Sequence, residues 1–109
     1  MKSASSIGLL AALLFSGSEV SAQASLETDR SAGVCASYFT LLQKSNAAAR
    51  ALAMADNQDR ALQFAMNEFE RIKSLKDRGL WDKNAEMSYA VRADGECRKV
   101  GMRPADYSN

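Results

Sequence analysis

Residues 34–55 read VCASYFTLLQKSNAAARALAMA, and their spacing decides the fold. Val34 and Cys35, Tyr38 and Phe39, then Leu41 and Leu42 recur at three- and four-residue steps, which lays one wide apolar face along a helix. Lys44-Ser45-Asn46 interrupts that face. Ala47 to Ala55 resumes it with alanine, leucine and methionine, the strongest helix formers. The spacing predicts helices over about 28–45 and 47–55, with a bend or break near Ser45-Asn46.

Downstream, Asp56-Asn57-Gln58-Asp59 is a polar break in which Asp56 suits an N-cap. Leu62, Ala65, Met66, Phe69 and Ile72 form the next stripe. It closes on Lys73, Lys76 and Arg78, then Gly79 and Leu80, which together make a helix stop. Asp82 can cap a further helix, whose stripe is Met87, Ala90, Val91, Cys97 and Val100. Gly101, Met102 and Pro104 end it. Helices over about 57–78 and 82–100 follow, and residues 105–109 read as a frayed tail. No run alternates apolar and polar residues in the two-residue period of a half-buried strand. The expected fold class is all-α, a small three- to four-helix bundle over residues 25–104.

Upstream, the chain opens as an export signal. Met1-Lys2-Ser3 is a short positive segment, Ile7 to Phe15 (IGLLAALLF) is apolar, and a polar stretch ends in small residues. Cleavage fits after Ala22 or after Ala24, so residues 1–24 read as a signal peptide. The apolar core is about nine residues long, roughly half of what crosses a bilayer. Cys35 lies well beyond it, so neither a membrane span nor a lipid anchor is expected after cleavage. The predicted location is the periplasm or the exterior.

Cleavage leaves roughly 85 residues, one domain with a marginal core. The chain holds two cysteines, Cys35 and Cys97. In an oxidising compartment they allow one intramolecular bridge. That bond and the helix count constrain each other. Were residues 28–55 one straight helix in an up-down-up bundle, Cys35 and Cys97 would sit at opposite ends. They would be on the order of 20 Å apart, against the roughly 4.4–6.8 Å between Cα atoms that a disulfide allows. A reversal near Ser45-Asn46 removes the conflict.

The sequence carries no signature of chemistry. It has no histidine, which removes the Ser-His and Cys-His nucleophile pairs and the commonest metal and haem ligand. The cysteines are too far apart for a C-x-x-C redox motif. Glu68 and Arg71 read as a surface pair three residues apart. Asp56-Asn57-Gln58-Asp59 and Asp94-Gly95-Glu96 lack the ligand alternation of a calcium loop. Met54, Met66, Met87 and Met102 read as adaptable core fillers rather than copper ligands. Net charge is +1 with the signs interspersed, so there is no basic stripe for nucleic acid. No catalytic, cofactor-binding or metal-binding residue is assigned.

Trp81 and Tyr107 are the residues assigned to a possible interaction surface, since such side chains dominate binding hot spots. Trp81 also suits a covering role at the bundle's end, and Tyr107 has no evident packing partner. The expected function is binding to a protein partner in the cell envelope, as an inhibitor, assembly or regulatory factor. An exposed apolar patch would strengthen that reading. In plan alone, a short exported all-α domain with two cysteines, the chain is similar to the small acid-stress chaperones of enteric bacteria. That similarity implies an alternative, apolar surface released by acid. An apolar-ligand carrier is the other alternative.

Overall fold

The computed structural model describes the backbone of residues 2–108 and the side chains of residues 21–108. The segment of the signal-peptide reading up to residue 20 therefore lies outside the described side chains. Among the described residues four α-helices run in order: α1 Lys2–Leu41, α2 Ser45–Ala53, α3 Gln58–Asp77 and α4 Lys83–Lys99, followed by a short 3-10 helix, Pro104–Tyr107. No strand occurs among the described residues. The fold is an all-α bundle with one disulfide.

The first reversal comes at Leu42–Lys44, slightly ahead of the predicted break. Gln43 takes a left-handed conformation, φ 61°, and the Lys44 amide donates to the Phe39 carbonyl. This closes α1 as a glycine would. The chain folds back, and Ala47, Ala48 and Ala51 bury against Cys35, Ala36 and Phe39. α3 then runs alongside α1 in the same sense, from Asp29–Arg60 to the neighbourhood of Leu41 and Lys76. α4 returns, bringing Tyr89 to Ser37 and Cys97 to Cys35. The Cys35–Cys97 bridge spans 4.9 Å between Cα atoms, so bond and reversal coexist as the geometry required. Closing a loop of that length stabilises by roughly 4 kcal/mol in the chain-entropy account.

α1 is the hub. Ser31, Ala32, Gly33, Val34, Cys35, Ala36 and Ser37 are all buried. Consecutive helical residues point in all directions, so α1 has neighbours on every side, and α2, α3 and α4 each pack against it. Small side chains make this possible. A Cβ on Gly33 would stand 2.5 Å from the Ala61 carbonyl oxygen and 2.7 Å from the Phe64 Cβ. α3 therefore crosses α1 almost backbone to backbone, with Ala61 and Ala65 in the seam.

Three buried polar groups on α1 fix the register. The Asp29 carboxylate, fully buried, accepts from the Asp56 and Asn57 amides at 2.8 and 3.0 Å and from Arg60 Nε at 2.6 Å. Burial alone would raise its pKa. The Asn57 amide, Arg60 and the Asp56 amide outweigh that and hold the carboxyl below its ordinary value. Ser31 donates to Glu96 on α4, and Ser37 shares a hydrogen bond with the Tyr89 hydroxyl. Burial also pushes Glu96 up, but Ser31 and Lys99 bring it below the usual range.

Several expected details are corrected. The first helix is continuous from Lys2 rather than starting near Thr28. Asn57, not Asp56, caps α3: the helix begins at Gln58, directly after Asn57, whose side chain accepts from the Arg60 amide. Of the expected α3 stripe, Ala65 and Ile72 are buried as predicted, whereas Leu62 and Met66 stand exposed and Ala61 turns inward. The close α1–α3 crossing leaves room only for alanines in its seam. On α4, Met87 and Val91 are outside, while Tyr89, Ala93 and Cys97 are inside. Met54, Met66 and Met87 are exposed, and among the four methionines read as core fillers only Met102 is buried.

Through Ser108 the tail packs on the bundle rather than fraying. Tyr107 packs on Phe39 with ring centroids 5.0 Å apart, and Arg50 donates to the backbone carbonyls of Asp106 and Ser108. One aromatic contact and a guanidinium that satisfies two carbonyls hold it in place.

Candidate functional site: an apolar groove between Trp81 and Tyr107

Cys97 sets the rotation of α4. With its sulfur bonded to α1, the residues four and eight positions back, Ala93 and Tyr89, must also face inward. Met87 and Val91 are thereby left outward, 61% and 76% exposed. The Asp82 side chain caps the helix, accepting from the Ala85 amide at 2.9 Å. Gly79, at φ 70°, lets α3 stop and delivers Trp81 to the turn.

Along the flank of α4, beside the end of α1, lie two open clefts of about 380 and 340 Å³. Leu42 and Ala90 line both, which joins them into one groove. Leu41, Leu42, Met87 and Val91 supply its apolar surface, and each is exposed. Trp81 stands at one end, half-buried and edge-on to Tyr89 with centroids 5.8 Å apart. Tyr107 stands at the other, its hydroxyl donating to Asp94 at 3.1 Å. Burial raises the Tyr107 pKa, and the Asp94 carboxylate raises it further. The two aromatics singled out in the sequence thus bracket one groove, although each also has a packing partner.

A third cleft, about 250 Å³, lies on the other side of Trp81, between α3 and α4. Arg71 and Arg92 line it, yet both hydrogen-bond Glu68, at 2.9 and 3.2 Å. Arg71 also stacks over Tyr89. These guanidinium groups tie α3 to α4 across a gap and already have their anion. The predicted Glu68–Arg71 pair is therefore part of a three-residue cluster.

Sequence reasoning missed Leu41, Leu42, Met87 and Val91 as surface residues, because each was counted toward a core stripe. A signal was present: stepping back by fours from Cys97 identifies the inward face of α4 and leaves Met87 and Val91 outside it. Comparison with protein-family models, curated proteins and solved structures finds no match to this chain. The groove has to be interpreted from its own chemistry.

Proposed function

We propose that this is an exported protein of the cell envelope that acts by binding another protein through the Trp81–Tyr107 groove, as an inhibitor, assembly or regulatory factor. The observation that carries the reading is the exposure of Met87, Val91, Leu41 and Leu42 on one concave surface. A domain of this size has little apolar surface to leave in water. Contiguous apolar patches on small proteins mark interaction sites. Export is supported by where α1 begins to matter: Ser21–Ala24 are exposed, whereas the Ser25 hydroxyl accepts from Arg60 on α3. Cleavage after Ala22 or Ala24 spares that contact, and the Cys35–Cys97 bridge suits an oxidising compartment.

The test is co-purification from the cell envelope with a Met87→Glu/Val91→Glu double variant as the comparison. Both residues are exposed, so the variant's thermal midpoint should stay within a few degrees of the parent's. A stoichiometric partner recovered with the parent and lost with the variant is the expected result. A partner retained by the variant contradicts the reading.

The acid-triggered alternative draws on a different observation, the buried Asp29 carboxylate that fastens α3 to α1. Its protonation would loosen one side of the hub and bare more apolar surface. The carrier alternative has less support, since the clefts stand open rather than enclosing most of a small ligand.

A further inference from the structure

Cys35 and Cys97 are bonded to each other, fully buried, and leave no free thiol. The sulfurs open to oxidation are therefore thioethers. Met54, Met66 and Met87 are 42%, 51% and 61% exposed, whereas Met102 is 1% exposed. Of these, only Met87 lines the groove, where it shares a cleft with Leu41, Leu42, Trp81 and Ala90. The most exposed of these sulfurs thus stands in the surface read above as a docking site. Resting on that reading, we propose that Met87 is an oxidation site that regulates the groove: its thioether permits docking and its sulfoxide blocks it.

The reaction takes its oxidant from outside the protein, as hydrogen peroxide. The Met87 sulfur attacks one peroxide oxygen with a lone pair, and the O–O bond breaks as the S–O bond forms. The departing hydroxide takes the proton from the oxygen now on sulfur and leaves as water. Sulfur is oxidised by two electrons and the peroxide is reduced by two. α4 holds the core through Tyr89, Ala93 and Cys97, so a change at Met87 leaves those contacts in place. At the groove the consequence is direct, because a flexible apolar side chain becomes polar and chiral. An apolar side chain of the partner, seated beside Leu41 and Leu42, has to strip water from the sulfoxide oxygen. Epimer-specific reductases return the sulfoxide to the thioether, which makes the change reversible.

Met54 and Met66 serve as internal controls, since both are exposed outside the groove. Protein purified from the cell envelope is treated briefly with dilute hydrogen peroxide and mapped by peptide mass spectrometry. It is then tested for capture of the partner recovered by co-purification. One added oxygen is expected at Met54, Met66 and Met87, with at least about tenfold less at Met102. Capture by the treated parent should fall at least about tenfold, while its thermal midpoint stays within a few degrees. A Met54→Leu/Met66→Leu variant should lose capture in the same way. Treated Met87→Leu should keep it, because leucine conserves the volume and has no sulfur. Met87→Gln, polar without any oxidant, should capture poorly from the start, and the two reductases should restore the treated parent. An unoxidised Met87, undiminished capture by oxidised parent, equal loss in Met87→Leu, or full capture by Met87→Gln overturns the proposal and leaves the docking reading in place. If the untreated parent captures nothing, the docking reading falls and the switch falls with it.

Discussion

Gly33 and Gly95 both lie inside helices, but their surroundings differ completely. Gly33 is pressed against the α3 backbone, and a methyl group there would collide with the Ala61 carbonyl oxygen. A methyl group at Gly95 would meet nothing within 4 Å. In an exposed helix, replacing glycine by alanine gains about 1 kcal/mol. Gly95→Ala should therefore stabilise the protein by roughly that amount in denaturant titration. Gly33→Ala gains the same helix preference but overpacks the seam, and should come out destabilised by about 1–3 kcal/mol. Equal and favourable shifts in both would mean that α1 and α3 are not in close contact. Nothing in the sequence separates these two glycines, because the difference is made by a helix distant along the chain. Asp29 was equally invisible, since only the fold brings the Asp56 and Asn57 amides to it. Gly79 and Gly101 were legible, because a positive φ at a helix stop is a local requirement.

At the level of elements, α1 holds its neighbours by different means. α4 is fastened covalently through Cys35–Cys97 and by Ser37–Tyr89. α3 is fastened by a seam of small residues, which bury little area each, and by the Asp29 carboxylate. That carboxyl is held below its ordinary value near 4. Its contribution is full at pH above the unfolded-state value and is lost as pH falls through the lower folded-state value. The stability of the parent, read as a denaturant midpoint, should be flat on this account above about pH 5 and fall below about pH 4. Asp29→Asn should cost about 2–3 kcal/mol near neutrality, as a charged hydrogen-bond network is weakened. It should also make the acid slope shallower, with Glu96 supplying part of what remains. Identical acid slopes would remove Asp29 from that role and weaken the acid-triggered alternative.

The helices themselves were legible, because apolar periodicity and stop residues are local. Their inward faces were less so. Counting large apolar residues put Leu62, Met66, Met87 and Val91 inside, whereas the core is built largely of alanine around a small-residue hub. The packing of Tyr107 on Phe39 depends on tertiary context that periodicity does not carry.

Taken whole, the molecule is a central helix wrapped by three others and stapled to the last of them. The staple rotates α4 so that its larger apolar side chains line a groove instead of the core. Trp81 and Tyr107 were legible as candidate contact residues. That they share one groove was not, since the reversal at Gln43 and the return of α4 create it. A rival apolar surface exists on α3, where Leu62 and Met66 are 46% and 51% exposed, outside the clefts described above. Site-specific photocrosslinking in intact cells separates the two. With a photoreactive residue at position 91 or at position 66, one in each copy of the protein, the account predicts a discrete adduct from 91 and none from 66. An adduct from 66 with none from 91 would contradict it and move the function to the other face of the molecule.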